Sequence, residues 1–344
     1  MTDTAILVEG LVKRFGTVAA LDGIDFEVPT GTVFGLLGPN GAGKTTAVRV
    51  LTTILRPDSG RAEVMGHDVV KDAMAVRRRI GLAGQYAAVD SNLTGRENLR
   101  LIGKLAQLPK PAIMPRAAEL LERFQLTDAA DRPVKTYSGG MRRRLDVAAS
   151  LVQRPPVLLL DEPTTGLDLP SRNELWAMIR ELVADGTTVL LTTQYLEEAD
   201  RLAEDIAVVD GGKVVARDTP ANLKARLGST VIEFGMDSEP AATRAEALLA
   251  DRVPDPPERD GATVRLRATD GPRMLMELLR ALDAHGLVPA TLGVREPSLD
   301  DVVLALTGHA AEPGVTGMGN GNGAGNGAGP GGRRAARRGR GGAA

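Results

Sequence analysis

A glycine-rich loop between an apolar run and a helical segment constrains this chain most. The sequence GPNGAGKTT fills residues 38–46, directly after the apolar run Val33–Leu37, and fits the pattern G-x-x-x-x-G-K-[ST]. Glycines let backbone N–H groups approach a polyphosphate closely, and the helix that follows presents its N-terminus to the anion. The pattern predicts a nucleoside triphosphate site at a strand–loop–helix junction, and similar strand and helix patterns up to residue 228 predict a mainly parallel, helix-covered sheet.

Each residue of this loop has an expected role. Lys44 supplies positive charge to the β- and γ-phosphates, and Thr45 offers its hydroxyl to Mg²⁺. The other positions are expected to wrap the phosphates with their backbone: Gly38, Pro39, Asn40, Gly41, Ala42, Gly43 and Thr46. The alternative is a tight glycine turn that binds nothing, and the strand before the loop and the helix after it argue against that interpretation.

An apolar run that ends in two acids predicts the second half of the site. Val157–Leu160 is typical of a buried strand, and Asp161 and Glu162 follow at its carboxyl end, where α/β proteins bind ligands. We expect Asp161 to act on Mg²⁺ through water, and Glu162 to orient or deprotonate the attacking water. The alternative interpretation is an exposed acidic turn after a core strand. The phosphate loop elsewhere in the chain argues against this interpretation.

A second anion-binding pattern lies between the loop and the acids. Ser138, Gly139 and Gly140 precede a predicted helix over 141–152. A serine hydroxyl and two glycines at a helix N-terminus suit a phosphate. Since one nucleotide does not need two such devices in one chain, we expect this one to bind a phosphate held by a second copy. The alternative is an ordinary serine cap followed by two flexible glycines.

Composition excludes several classes of site and partner. Among 344 residues, 42 are Lys or Arg and 44 are Asp or Glu, so the net charge of −2 argues against nucleic acid as the main partner. No cysteine is present, which excludes disulfides and thiolate metal sites. No run approaches the roughly 18–20 apolar residues of a membrane span, and the first residues do not form a secretory signal. We therefore expect a cytoplasmic protein.

The chain is predicted to contain three parts. Residues 1–228 alternate strands and helices, with a helical insert at about 90–150. Residues 229–309 predict a small ferredoxin-like domain that ends in a helix capped by a Ser298–Asp301 capping box. Residues 310–344 contain 13 glycines, five arginines and one glutamate, which predicts a disordered tail of charge +4. Contact of this tail with anionic lipid or nucleic acid is an alternative to a solvated end without a partner.

The order of phosphate loop, Ser-Gly-Gly and Asp-Glu strand resembles the ATP-binding subunits of ABC transporters, over about residues 5–228. The strings YSGGMRRRLDVAASLV, TTQYLEEAD and EPSLDDVVLALTGH are similar to the daunorubicin-resistance type, over about residues 1–309. The resemblance implies a P-loop NTPase cassette with a parallel-sheet core, an antiparallel β subdomain and a helical insert, joined to a small α+β C-terminal domain. It also implies ATP hydrolysis that drives export of a drug, antibiotic or lipid through a separate integral-membrane permease at the inner face of the cell membrane. The alternative class is a soluble ABC ATPase that acts on nucleic acid or ribosomes.

The resemblance also implies roles for single residues. Phe15 matches the aromatic that stacks on adenine, with a core aromatic as the alternative. Gln85 matches the glutamine that contacts Mg²⁺ and water and links the nucleotide to the permease, and Asp168 matches a loop that crosses the dimer interface. Gln194 departs from the family, which usually has a histidine there. Because glutamine cannot exchange a proton, our hypothesis is that Glu162 carries the base role and that Gln194 only senses the γ-phosphate.

Overall fold

The computed structural model describes residues 4–84, 88–227, 230–253, 256–268 and 271–308. Gln85 and the tail predicted from residue 310 therefore lie outside the described residues. Within them, no helix combines the length and the apolar character that a membrane span requires.

Strands and helices alternate along most of the described chain. The strands are β1 (Thr4–Phe15), β2 (Val18–Pro29), β3 (Val33–Leu37), β4 (Ser59–Val64), β5 (His67–Asp68), β6 (Ile80–Ala83), β7 (Val157–Asp161), β8 (Thr188–Thr193), β9 (Asp205–Asp210), β10 (Lys213–Asp218), β11 (Thr230–Gly235), β12 (Glu258–Asp260), β13 (Thr263–Ala268) and β14 (Thr291–Arg295). The helices are α1 (Lys44–Leu51), α2 (Ala73–Arg77), α3 (Gly95–Leu105), α4 (Lys110–Arg123), α5 (Gly139–Ser150), α6 (Leu169–Ala184), α7 (Leu196–Leu202), α8 (Pro220–Ala225), α9 (Glu239–Ala250), α10 (Gly271–Ala284) and α11 (Leu299–Thr307).

The central sheet determines where the site can form. Its strands lie in the order β10-β9-β3-β8-β7-β6, and every neighbouring pair except β9–β10 is parallel. Strands β3, β7 and β8 are buried at every position, as expected for parallel strands covered on both faces. Because these strands are parallel neighbours, the residues that follow each of them meet at one edge of the sheet.

Two further units pack on this sheet. An antiparallel sheet, β2-β1-β4-β5, shares a hydrophobic core with α1 and the central strands. Helices α3, α4 and α5 form the insert, and their leucines pack with Phe124 and Trp176 in a second core. The predicted fold class is confirmed, with a parallel core, an antiparallel β subdomain and a helical insert.

The residues after 229 form a third unit with a core of its own. The order β11-α9-β12-β13-α10-β14, with the sheet order β14-β11-β13-β12, is that of a ferredoxin-like unit. Its core includes Ile232, Phe234 and Leu282. Helix α11 differs, because its apolar side chains Leu299 and Val303 belong to the core of the cassette, where α11 contacts α7 and α8. The division into three domains remains a prediction.

The capping box predicted at the start of α11 is confirmed. The Ser298 hydroxyl accepts a hydrogen bond from the Asp301 backbone N–H at 3.3 Å, and the Asp301 carboxylate accepts one from the Ser298 N–H at 2.8 Å. Arg295, at the end of β14, donates two hydrogen bonds to the same carboxylate. These contacts hold the pKa of Asp301 at about 2, even though partial burial opposes the shift. The ion pair thus attaches α11 to the neighbouring sheet.

A buried carboxyl joins α6 and α7, the helices that precede and follow β8 in the chain. Glu198, on α7, has no exposed surface, and its Oε1 accepts a hydrogen bond from the indole N–H of Trp176 at 3.0 Å. Burial raises the pKa of Glu198, and interactions with Thr193, Trp176 and Thr164 oppose the rise. Desolvation is the larger effect, so the pKa of Glu198 lies above its ordinary value.

This burial predicts a pH-dependent effect of Glu198→Gln. The native pKa lies above the unfolded value, so the stability that the acid contributes is fully present below about pH 4 and is lost as pH rises through the native pKa. The amide carries no charge, and we expect the substitution to raise the free energy of unfolding at pH 8, with a smaller effect at pH 4.5. Denaturant unfolding at pH 4.5 and pH 8, followed by Trp176 fluorescence, measures the difference.

The matched control for this measurement is Glu197→Gln. Glu197 is an exposed neighbour on the same helix that pairs with Arg201 at 2.8 Å, so its substitution should change stability by less than about 1 kcal/mol. Equal destabilisation by Glu198→Gln at both pH values would show that the carboxylate is ionised in the fold.

Candidate nucleotide site

The phosphate loop passes between two other backbone segments. It leaves β3 at Gly38 and enters α1 after Gly43, and both glycines have positive φ, +148° and +112°. A Cβ atom would lie 2.0 Å from the Val209 carbonyl oxygen at Gly38 and 2.3 Å from the Ala20 carbonyl oxygen at Gly43. The loop can therefore adopt this path only with glycine at both ends, where the absence of a side chain allows close approach of other atoms to the backbone.

Lys44 lies folded over this loop. Its side chain is almost fully buried, and its Nζ donates hydrogen bonds to the carbonyl oxygens of Gly38 at 2.6 Å and Pro39 at 2.9 Å. Burial lowers the pKa of Lys44, whereas the charges of Glu162 and Asp161 raise it. The ammonium group is thus close to both acids and is held by weak carbonyl acceptors that phosphate oxygens can replace.

Thr45 and Asp161 converge across the sheet edge. The Thr45 hydroxyl donates to Asp161 Oδ1 at 3.3 Å, and the Thr192 hydroxyl donates to the same oxygen. Asp161 is buried at the end of β7. A hydroxyl beside a carboxylate offers the hard oxygen ligands that Mg²⁺ prefers, and this ion commonly completes its shell with water and substrate phosphates. The residues present therefore fit a magnesium ion.

Glu162 turns away from the direction of β7. Its φ is +51°, which is unusual for a residue other than glycine, and its N–H donates to the Thr192 carbonyl oxygen at 2.9 Å. Such a conformation costs about 1–3 kcal/mol and persists where neighbouring structure holds it. Gln194 follows β8 and is half-buried. Because Asp161 pairs with Thr192 in the parallel register, Glu162 and Gln194 follow the ends of adjacent strands.

The Ser-Gly-Gly segment lies at the start of another helix. The Ser138 hydroxyl accepts a hydrogen bond from the Met141 N–H at 3.1 Å and so caps α5, while Ser138 and Gly139 remain exposed. Asp168 caps α6 in the same way, by accepting from the Ser171 N–H at 3.3 Å, and hydrogen bonds from Ser171 lower its pKa. The side chains of Ser138 and Asp168 thus each cap their own helix. Ser138 is nevertheless exposed at the start of α5, where a ligand from outside the chain can reach it.

Phe15 is a surface residue, so the core alternative for it does not hold. Its ring is 48% exposed at the turn between β1 and β2, where Lys13 Nζ lies 5.7 Å from the ring centroid. The second strand of this hairpin contacts the phosphate loop at Ala20. The ring is therefore exposed at the end of a hairpin whose second strand contacts the phosphate loop.

Two groups that contact the acids were missed from the sequence. Thr192 supports Asp161 and Glu162, and Arg143, on the inner face of α5, donates to the backbone carbonyl oxygens of both acids. The three consecutive arginines at 142–144 do not indicate which one is buried. The i, i+3 spacing of Arg143 and Asp146 places opposite charges on one helix face, but Arg142 lies at i, i+4 from Asp146 and meets the same criterion, so no local signal selects Arg143.

Comparison with known proteins agrees with this geometry. A family model described as ABC transporter matches residues 21–165. The daunorubicin resistance ATP-binding protein DrrA2 of Streptomyces coeruleorubidus is 54% identical over 91% of this chain and 98% of its own length. The daunorubicin/doxorubicin resistance ATP-binding protein DrrA of Streptomyces peucetius is 51% identical over 90% of this chain and 94% of its own length. The Nod factor export ATP-binding protein I of Ralstonia nicotianae is 42% identical over 88% of this chain and 93% of its own length.

Solved structures are similar over the cassette. An ATP-binding subunit of an ABC transporter is 25% identical and superimposes with a TM-score of 0.59, over 64% of this chain and 92% of that one. The cbiO1 subunit from Clostridium perfringens is 28% identical with a TM-score of 0.61, and the match covers 65% of this chain and 91% of that one. The chain therefore belongs to the ABC transporter family, among the ATP-binding subunits that act as its transport-driving ATPases.

Proposed function

We propose that this chain binds Mg·ATP between two copies of itself and uses hydrolysis to drive export of a drug, antibiotic or lipid through a separate membrane permease. One observation carries the proposal: Lys44, Thr45, Asp161 and Glu162 meet at one sheet edge, while Ser138 is exposed at a different helix terminus. The daunorubicin and doxorubicin resistance relatives support the class of cargo. The permease is the partner that a transport function requires.

Binding begins with replacement of contacts inside the phosphate loop. Lys44 exchanges the Gly38 and Pro39 carbonyl oxygens for the β- and γ-phosphate oxygens, which are stronger acceptors for an ammonium group. Thr45 and, through water, Asp161 would hold Mg²⁺, which when bound neutralises phosphate charge; Gln85 is the third expected ligand. Phe15 supplies a flat apolar surface for the adenine ring.

Hydrolysis requires a base and a group that detects the γ-phosphate. Glu162, turned out of β7 by its positive φ, orients the attacking water and accepts its proton. Gln194 donates a hydrogen bond from its amide to the γ-phosphate and does not titrate. The proton of the attacking water therefore goes to Glu162 and does not pass through the side chain of Gln194.

The second copy completes the site. The exposed N-terminus of α5, with Ser138, Gly139 and Gly140, presents backbone N–H groups and a hydroxyl to the phosphate of the partner's nucleotide. Asp168, at the start of α6, contacts the partner across the same interface. Nucleotide binding thereby closes the dimer and hydrolysis opens it, and the helical insert passes this motion to the permease.

Ser138→Arg separates nucleotide binding from turnover. The larger side chain fills the space in which the α5 terminus would meet the partner's phosphate, so ATP binding by the monomer should stay within about twofold while turnover falls roughly 100-fold or more. Titration with a fluorescent ATP analogue and a phosphate-release assay measure the two quantities. Thr243→Arg, which adds the same charge on α9, is the control. Loss of monomer binding in Ser138→Arg would contradict the shared site.

Glu162→Gln and Gln194→Ala assign the base. We expect the first substitution to lower turnover roughly 100-fold or more with ATP binding retained, since general-base catalysis contributes about 10²–10⁴-fold. Gln194→Ala removes one hydrogen bond to the γ-phosphate and should lower turnover about tenfold. Phosphate release at saturating ATP gives both values. Unchanged turnover in Glu162→Gln, together with abolished turnover in Gln194→Ala, would refute the assignment.

Co-expression with a permease of the type that such ATP-binding subunits serve tests the transport function. We expect the chain to move to the membrane fraction only when the permease is present, and ATP to drive cargo uptake into inverted vesicles that contain both. A shortened variant that ends at Gly308 separates attachment through the permease from attachment through the basic tail. A chain that stays soluble beside the permease and binds nucleic acid in a salt-dependent manner would favour the soluble ATPase alternative.

A further inference from the structure

Helix α5 carries a buried ion pair just beyond its exposed N-terminus. Arg143 Nη1 lies 3.3 Å from Asp146 Oδ2, and the two side chains are only 12% and 1% exposed. Their i, i+3 spacing places both on the face of α5 that packs against the body of the cassette. Neither nucleotide binding nor the proposed proton transfer uses this pair.

The contacts of Arg143 are concentrated on the end of β7. Its Nε donates to the Pro163 carbonyl oxygen at 2.6 Å, and its Nη2 donates to those of Glu162 at 3.2 Å and Asp161 at 3.3 Å. A guanidinium holds its donors in a rigid planar fork, so these three consecutive carbonyl groups are held in one arrangement. The backbone of the proposed catalytic acid is therefore attached to α5.

The same pair contacts both sides of the segment that contains Gln85. Arg143 Nη1 also donates to the carbonyl oxygen of Gly84, the residue before Gln85. Asp146 Oδ1 accepts a hydrogen bond at 2.7 Å from the N–H of Ala88, which resumes the described chain three residues after Gln85. One buried pair thus holds the two flanks of this segment and the end of β7 on a common support.

We propose that Arg143 and Asp146 are positioning residues that link the Ser138 end of α5 to the backbone of Glu162 and to both flanks of Gln85. A displacement of α5 caused by the partner's nucleotide at Ser138 then changes the geometry of the acid in this chain's own site. The link makes hydrolysis in one site sensitive to occupancy of the other. This inference rests on the proposed function, because it requires Ser138 to act on the nucleotide of the second copy.

Arg143→Gln in the full chain, assayed with its permease, tests the link. We expect the Kd for a fluorescent ATP analogue and the KM for ATP to change by less than about twofold, and kcat to fall about tenfold or more. Arg143→Lys should not restore kcat, since one ammonium group cannot contact Gly84 and three consecutive carbonyl groups together. A residue that served only to hold the fold would lower binding and turnover together, along with Tm.

Asp146→Asn provides the second variant, because the amide oxygen can still accept from Ala88 while the charge is lost. We expect a smaller fall in kcat, about threefold, and the double variant should match Arg143→Gln alone, since the two residues act as one unit. If Arg143→Gln does not fold, Asp146→Asn carries the test by the same comparison of kcat with Kd.

The matched control is Arg144→Gln, which removes a guanidinium from the next position of α5. Arg144 is similarly buried but contacts Glu174 and Gln125, away from both acids, so kcat should stay within about twofold. An unchanged kcat in Arg143→Gln, with Ser138→Arg inactive, would overturn this inference and leave the proposed function standing. Full turnover in Ser138→Arg would overturn the proposed function and this coupling with it.

Discussion

Parallel pairing of β3, β8 and β7 is the constraint on which the site depends. The register joins Leu37 to Thr193 and Asp161 to Thr192, so the phosphate loop and the acids leave the sheet at the same level. Side chains alternate between the two faces of a strand, and a slip of one residue would move Asp161 away from Thr45. The buried strands oppose such a slip because both of their faces are covered.

Helix α5 connects an exposed surface at its N-terminus with a buried surface beside the two acids. Its exposed first turn carries Ser138, while its inner face carries the buried Arg143 and Asp146. An α-helix transmits displacement along its axis because every turn is hydrogen-bonded to the next. The same helix also packs through Leu145 in the core that contains the leucines of α3 and α4, so motion of the insert and motion of the acids are mechanically related.

Local patterns explain what could be predicted from the sequence. The strand before Gly38, the acids after Leu160 and the cap at Ser298 each depend on residues close together along the chain. The support of Asp161 by Thr192 and the choice of Arg143 from three arginines depend on strand order and helix rotation, which no short pattern records. The positive φ of Glu162 likewise results from its bond to β8.

The packing of α11 changes how the C-terminal unit should be regarded. Its helix returns to α7 and α8, so residues 230–295 are connected to the cassette at both ends, as an inserted domain is. During synthesis, the apolar surface that receives Leu299 and Val303 stays uncovered until α11 has left the ribosome. Completion of the ATPase core therefore has to wait for this helix, and a chain shortened before it would expose a surface prone to aggregation.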